Sequence, residues 1–342
     1  MTGRSALIIG AGLGGLLCGR ILSREGWSVT LLEQGAQPGG ALQTFVRDGI
    51  RFDTGFHCVG GLGPGEPLEK LFRPLGLTDL PWQKMEADEC IGGEAFLRLS
   101  SGWEEERRHV LEPYGQSVWR LEGGGKTLAD ALAAGQQILL HRRVTSIEDH
   151  TVSCADGSVF RGDIVVSDIH PLLTMRMVRD HFRPAYLHRL ERAANSPGIF
   201  TLYCKLRPGA LRYINHSIFI DNTLMIHFGA PDATGFATSL DLLTFENPVS
   251  ERASQLLALA ARRLPALPEA VEACWTSSPQ TWERYTGTPG GSAYGIQKHS
   301  TLDYIAPQTP LPWLFLTGQN IGLHGVLGTT VSAYNTCKSI AL

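Results

Sequence analysis

The sequence predicts an α/β fold: a parallel sheet with helices and a β-meander, assembled from both ends of the chain, with a mainly β domain carrying some helices inserted between them. Three observations predict it. An apolar run at 6–9 passes through a glycine-rich turn and a helical pattern to a second apolar run at 28–32, the alternation expected of parallel strands. From about 199 to 245 the chain changes character, with strand-like runs interleaved with aromatics. Near its end the opening pattern returns: an apolar run at 313–317, a glycine-rich turn, and a helix from about Val326.

The first unit is the most informative. Leu16, Leu17, Ile21 and Leu22 fall at helical spacing, and Gly26 stops that helix. Between strand and helix stands Gly10-x-Gly12-x-x-Gly15, and the second strand ends at Glu33. Each residue has a mechanical reason in a Rossmann-type dinucleotide site. Gly10 permits the tight turn, Gly12 lets backbone approach a pyrophosphate, and Gly15 lets helix and strand pack closely. Free N–H groups at the helix start favour phosphate charge. Glu33 would accept hydrogen bonds from both ribose hydroxyls and would repel the 2′-phosphate of NADP. The same run, from Arg4 to Cys18, also has the outline of a lipoprotein signal. However, Leu17 stands where a small residue is usual before the cleaved cysteine, and five glycines between 10 and 19 make a poor apolar helix. The dinucleotide reading is preferred.

The remaining elements follow in order. Asp48-Gly49 marks a hairpin between strands at 44–47 and 50–52. A short helix is expected at 67–75, closed by Gly76. Positions 78–122 carry no clear pattern, beyond one charged turn in which Glu104 and Arg108 can pair on a solvated face. A helix at 127–134 precedes a strand at 137–143, with 144–148 as its continuation. Strands at 151–154 and 158–160 flank the turn Asp156-Gly157, and 164–167 is a buried strand. The middle region shows strands at 199–206, 217–220, 224–228 and 236–243 and an amphipathic helix at 250–263. The aromatics of this region are expected mainly in core packing.

Composition narrows the function classes. A hydrophobic content of 43% and a charged content of 18% describe a globular chain with a substantial core. The formal net charge is −3 without a basic stripe, so nothing supports nucleic-acid binding. No apolar run reaches the roughly eighteen residues that span a bilayer. The seven scattered cysteines lack a CxxC pair and read as reduced core thiols in a cytoplasmic protein. The histidines form no HExxH pattern, so no metal site is expected. There is also no GxSxG and no catalytic Cys–His motif.

At this point the residues resemble a family: the FAD-dependent phytoene desaturase and retinol saturase group of the amine-oxidase-like flavoproteins. Gly10, Gly12, Gly15, Glu33 and Gly39-Gly40 match its long FAD fingerprint. "FDTGFHCVGG" (52–61) is similar to the segment beside the flavin in the retinol saturases. "VVSDIHP" (165–171), "TPGGSAYGI" (288–296) and "LFLTGQNIGLHGVLGTTVSAYNTCKSI" (314–340) complete four separate matches in the family's order. The resemblance implies FAD as cofactor, with Gly14, Val144, Gly318, Gly322 and Val326 joining the fingerprint residues in binding it. It places His57 near the isoalloxazine ring and His324 in the C-terminal turn, the two candidates for handling a proton; a neutral core histidine is the plainer role for either. Asp53 is expected to fix its loop.

The implied organisation is an FAD-binding domain from 1–77, 123–180 and 305–342, and a substrate domain at 181–304. The segment 78–122 stands where the family has its cap. The stretch between Trp103 and Gly123 is barely twenty residues, so the cap is either drastically shortened or incompletely represented, with disordered segments omitted. The second is the expectation, because truncation would expose apolar surface. Ala41 stands where the family usually carries a basic residue, which leaves one phosphate or ring contact unassigned.

The activity implied is oxidoreduction of a C=C or CH–CH bond in a long apolar polyene, carotenoid- or retinoid-like, with hydride exchanged at flavin N5. An amine- or porphyrinogen-type oxidase is an alternative on the same fold. A non-catalytic lipid carrier, as in the Rab escort and GDP-dissociation-inhibitor proteins, is another. Reaction direction and electron partner are not specified by these residues; peripheral contact with a membrane is the further expectation.

Overall fold

The computed structural model describes residues 3–86, 88–91, 117–178, 182, 184–221, 223–245, 252–297 and 305–341. The charged turn around Glu104 and Arg108, and most of the cap segment, lie outside the described residues. Five strands form a parallel sheet in the order Leu314–Leu316, Ile164–Ser167, Ser5–Ile9, Ser28–Leu32, Gln137–Leu139. These strands read as continuous apolar runs because both faces of the sheet are covered. Ala6, Ile8, Leu31 and Val166 enter one core together with Leu16, Leu17 and Cys18 of the helix Leu13–Arg24. Leu7, Ile9, Leu32, Val165, Leu314 and Leu316 enter another on the opposite face. Each fully buried leucine contributes about 1.5–3 kcal/mol relative to exposure.

The helix Gly325–Ala341 packs beside Leu13–Arg24 on the first face, where Ala333 and Cys337 join the same core. The hairpin Thr44–Arg47 and Ile50–Asp53 turns through Asp48 and Gly49, both at positive φ. The helix Pro67–Phe72 runs into a 3₁₀ turn, Arg73–Leu75, and ends at Gly76 in the left-handed region. A three-stranded meander, Val144–Glu148, Thr151–Cys154 and Val159–Arg161, packs against the second face.

One expectation is corrected here. Residues 144–148 do not continue the strand before them. His141 takes a positive φ of 57° and turns the chain, so Gln137–Leu139 stays in the parallel sheet while Val144–Glu148 opens the meander. The turn is fixed by the loop after the second strand: His141 N donates to Gly35 O, and Arg142 N donates to Glu33 O at 2.8 Å.

The inserted region forms a six-stranded sheet in the order Val271–Ser277, Phe200–Leu206, Ser239–Thr244, Leu224–Phe228, Ile218–Ile220, Glu89–Ile91. Its pairs are antiparallel except the last. Strand alternation separates its faces. Leu202, Cys204, Leu240, Leu242, Ile226 and Phe228 form a third core under the helix Arg252–Ala261. Tyr203, Trp275, Asp241 and His227 are paired across neighbouring strands and share the other face. The edge strand Val271–Ser277 and the helices Pro171–Met177, Pro184–Arg192 and Pro279–Thr286 were not anticipated. All three helices open on proline, whose missing N–H is unneeded in a first turn.

Candidate functional site

A cavity of about 1230 Å³ lies between the C-terminal ends of the parallel strands and one face of the six-stranded sheet. The carboxyl ends of parallel strands are where open α/β sheets bind ligands. Gly10, Gly12 and Gly14 line one end of it. Gly12 caps the helix Leu13–Arg24 and brings no side-chain acceptor to its first turn, so that turn presents N–H groups to the cavity. Gly15 is not a lining residue; a Cβ there would overlap the carbonyl oxygen of Gly10, which makes it the point of closest strand–helix packing.

Glu33 lines the cavity at the end of the second strand. One carboxylate oxygen accepts from Ala11 N at 2.9 Å and the other from Gly35 N at 2.7 Å. The carboxylate is thus held in one orientation and ties the glycine turn to the loop that follows it. Gly39 and Gly40 line the same end, both at positive φ, and Gly39 N donates to Ala11 O at 2.7 Å. Val144 and Val326 line the walls.

Gly318 and Gly322 do not line the cavity, although Gln319, Asn320 and Gly325 of the same C-terminal turn do. Gly318 has a φ of +94°, and a Cβ on it would run into Asp168. A Cβ at Gly322 would meet open space. Asn320 accepts from Ile296 N at 3.0 Å and so joins this turn to the segment carrying Tyr294.

The two histidine candidates sit behind the walls. The ring of His324 packs at a tilt against Tyr294, centroids 4.5 Å apart, and Tyr294 lines the cavity. His57 is buried beneath the six-stranded sheet, with Nε2 3.8 Å from Asp241 Oδ2 and its ring edge-on to His227 at 5.1 Å. His57 Nε2 and Asp241 Oδ1 have no hydrogen-bond partner among the described residues. Burial without such a partner favours the neutral form of each: it lowers His57 to about 4 and raises Asp241 well above the usual carboxylate range. With the His57 ring neutral, the pair is a polar contact rather than an ion pair. Asp53 accepts from Gly125 N at 2.7 Å and steadies the start of the helix Gly125–Ala133; burial raises it to about 7.

Several lining residues were not found from the sequence. Asp168 and His170 come from the strand end at "VVSDIHP", which the resemblance marked without assigning roles. Trp282 and Tyr285 project from Pro279–Thr286, and Tyr203 and Trp275 from the sheet. Their signal was the alternation of the two strands and the capped helix start Ser278-Pro279. Arg47, Arg142 and Arg143 supply the cavity's cations, and Glu33 and Asp168 are the only acids among its described lining residues.

The residues present fit a flavin dinucleotide. One end offers a glycine cradle, with φ of +92° at Gly10 and of +56° at Gly40, and a helix N-terminus. The other end is aromatic, and there the indole N–H of Trp282 is buried without a hydrogen-bond partner among the described residues.

Comparison with known proteins agrees with this geometry. Residues 8–75 match the family model of an NAD(P)-binding Rossmann-like domain, and residues 79–198 match that of a flavin containing amine oxidoreductase. An all-trans-retinol 13,14-reductase of Danio rerio is 35% identical over 81 residues, 24% of this chain and 13% of that protein. A probable polyamine oxidase 4 of Arabidopsis thaliana is 36% identical over 190 residues, 55% of this chain and 34% of that protein. The chain thus spans only a minor part of the length of these curated relatives. Among solved structures, a putrescine oxidase variant superposes with a TM-score of 0.76 at 15% identity, covering 99% of each chain, a likeness of fold.

Proposed function

Because this chain belongs to the amine-oxidase-like flavoproteins, oxidoreductases with FAD as cofactor, we propose that its substrate is a long apolar polyene, carotenoid- or retinoid-like, changed at a C=C or CH–CH bond. The observation that carries this reading is the charge of the cavity wall. Both of its described acids, Glu33 and Asp168, stand at the glycine-rich end, and the wall formed by Tyr203, Trp275, Trp282, Tyr285 and Tyr294 has none. A cationic polyamine would find no carboxylate among the described residues of that wall, and burying its charge unpaired is costly. An uncharged chain of conjugated carbons meets aromatic faces there instead.

When bound, FAD supplies exchange of a hydride at its N5. The chain's own residues hold the cofactor and exclude water. Gly10, Gly12, Gly14 and the helix start receive the pyrophosphate, and Glu33 receives the ribose hydroxyls. Gly39, Gly40, Val144 and Val326 pack along the cofactor's length. Gly318 and Gly322 shape the turn that brings Gln319 and Asn320 to it. His324 acts through Tyr294 rather than by direct contact, and His57 acts as a neutral buried group beneath the sheet. A polyene resides in a bilayer, so peripheral contact with a membrane belongs to the same proposal.

The test is anaerobic. The flavin of the purified holoprotein is followed at its visible absorbance while retinoids, carotenoids, spermine and putrescine are added in turn, to both oxidised and pre-reduced enzyme. Redox exchange with a polyene and none with the amines is the expected result. Bleaching by spermine or putrescine would replace the polyene reading with an amine oxidase.

A further inference from the structure

Four glycines from two motifs more than three hundred residues apart in sequence surround one carboxyl group. Asp168 follows the strand Ile164–Ser167 and is half-buried at the cavity wall. A Cβ on Gly12 would come within 2.7 Å of its Oδ2, and Cβ atoms on Gly14 and Gly318 would approach its Oδ1 more closely still. Gly15 N donates a hydrogen bond to it. A Cβ on Gly14 would also lie 2.9 Å from the Cα of Gly318, so the glycine turn and the C-terminal turn touch beside this side chain. The absence of side chains at 12, 14 and 318 makes room for Asp168 as well as for a ligand.

This placement sets an acid beside the helix start that receives the cofactor's phosphates. We propose that Asp168 is a positioning residue for FAD: it clamps the glycine turn and the C-terminal turn together, and the clamped site retains the dinucleotide only while its carboxyl is neutral. An ionised carboxylate would add a negative charge inside a loop built to hold a dianion, where the bound cofactor would shield it from water. Burial raises the group to about 7, with the Gly15 N–H lowering it and the Glu33 carboxylate raising it further. The ionisable groups on the elements around it are few. The second strand brings Glu33, and its own element brings His170, whose ring nitrogens bond to Leu172 N and Asn195 Oδ1. The turns 10–15 and 318–322 carry none, and Arg142 and Arg143 lie elsewhere on the same cavity wall.

The inference rests on the assignment of FAD to this cavity, and the experiment separates the two. Apoprotein is titrated with FAD, and flavin fluorescence quenching gives Kd for wild type, Asp168→Asn and Asp168→Ala. From about pH 6 to about pH 8.5 the wild-type Kd is expected to rise, approaching tenfold per pH unit above neutrality for loss of one proton. Asp168→Asn, which fills the same space without the charge, is expected to match wild type at the acid end and to stay level. Asp168→Ala is expected to bind weakly throughout, because the turns lose their clamp. A level wild-type profile, or an unchanged slope in Asp168→Asn, overturns the proposal. Failure of wild type to take up FAD at the acid end overturns the cofactor assignment, and the inference with it.

Discussion

At the scale of single residues, Glu33 has a structural role beside the ribose contact proposed for it. Its carboxylate already holds Ala11 N and Gly35 N, so Glu33→Ala would remove the order of the loop as well as a ligand group. Charge-assisted hydrogen bonds are worth about 1.5–3 kcal/mol each, so the variant should purify largely as apoprotein at micromolar FAD. Full flavin absorbance at that concentration would contradict the assignment. His57 makes a prediction of the opposite kind, about stability. Its folded-state proton affinity is lowered from 6.5 to about 4 by burial, so the neutral ring is the form that folding favours. Its contribution is complete above about 6.5 and is lost as the pH falls toward 4, at roughly 1.4 kcal/mol per pH unit in that window. His57→Leu should flatten the fall in melting temperature between these pH values. An unchanged slope would show that His57 is not the group being charged.

At the scale of elements, the helix Pro279–Thr286 shows how a short piece of regular structure serves the cavity. Ser278 accepts from Thr281 N, Thr281 answers with its own hydroxyl, and Gly287 closes the helix in the left-handed region. Removal of such a cap costs about 0.5–2 kcal/mol, so Ser278→Ala should lower the urea midpoint and loosen Trp282 and Tyr285 together. Retention of both the midpoint and the indole fluorescence would refute that coupling. In the C-terminal turn, Gly318→Val would force a β-branched residue to positive φ against Asp168 and should abolish flavin binding. His324→Ala should keep the flavin and change only its reduction rate, since its ring reaches the cavity through Tyr294. The long buried runs and the glycine turns were legible because period and punctuation are local properties. The join at His141 was not: nothing local in 137–148 records that the loop after Glu33 takes up the backbone N–H groups of His141 and Arg142. Asp168 was missed for the same reason, since its meaning depends on Gly318, a partner distant in sequence.

At the scale of the whole molecule, the sequence read both ends of the chain better than its middle. The inner strands of the parallel sheet write themselves as apolar runs, whereas the edge strand Val271–Ser277 alternates and is only half-buried. Which face of the inserted sheet meets the cavity is decided by packing, so Tyr203 looked like an ordinary core aromatic. Among the described residues no helix is long and apolar enough to cross a membrane. The proposed polyene substrate resides in a bilayer, so flotation with liposomes should carry part of the protein upward. A protein that stays at the bottom of the gradient and turns over only water-soluble substrates would count against that contact and against the substrate class.

The strand Leu314–Leu316 closes the parallel sheet beside Ile164–Ser167, and the helix Gly325–Ala341 covers the first helix. In time rather than space, this means that the opening glycine turn leaves the ribosome tens of seconds before the segment that completes its site, at roughly 5–20 residues per second. Until then Leu16, Leu17 and Cys18 lack part of their cover. Flavin capture is then a late event in biogenesis. A cell short of riboflavin should accumulate this protein as a protease-sensitive species that added flavin rescues after synthesis has ended.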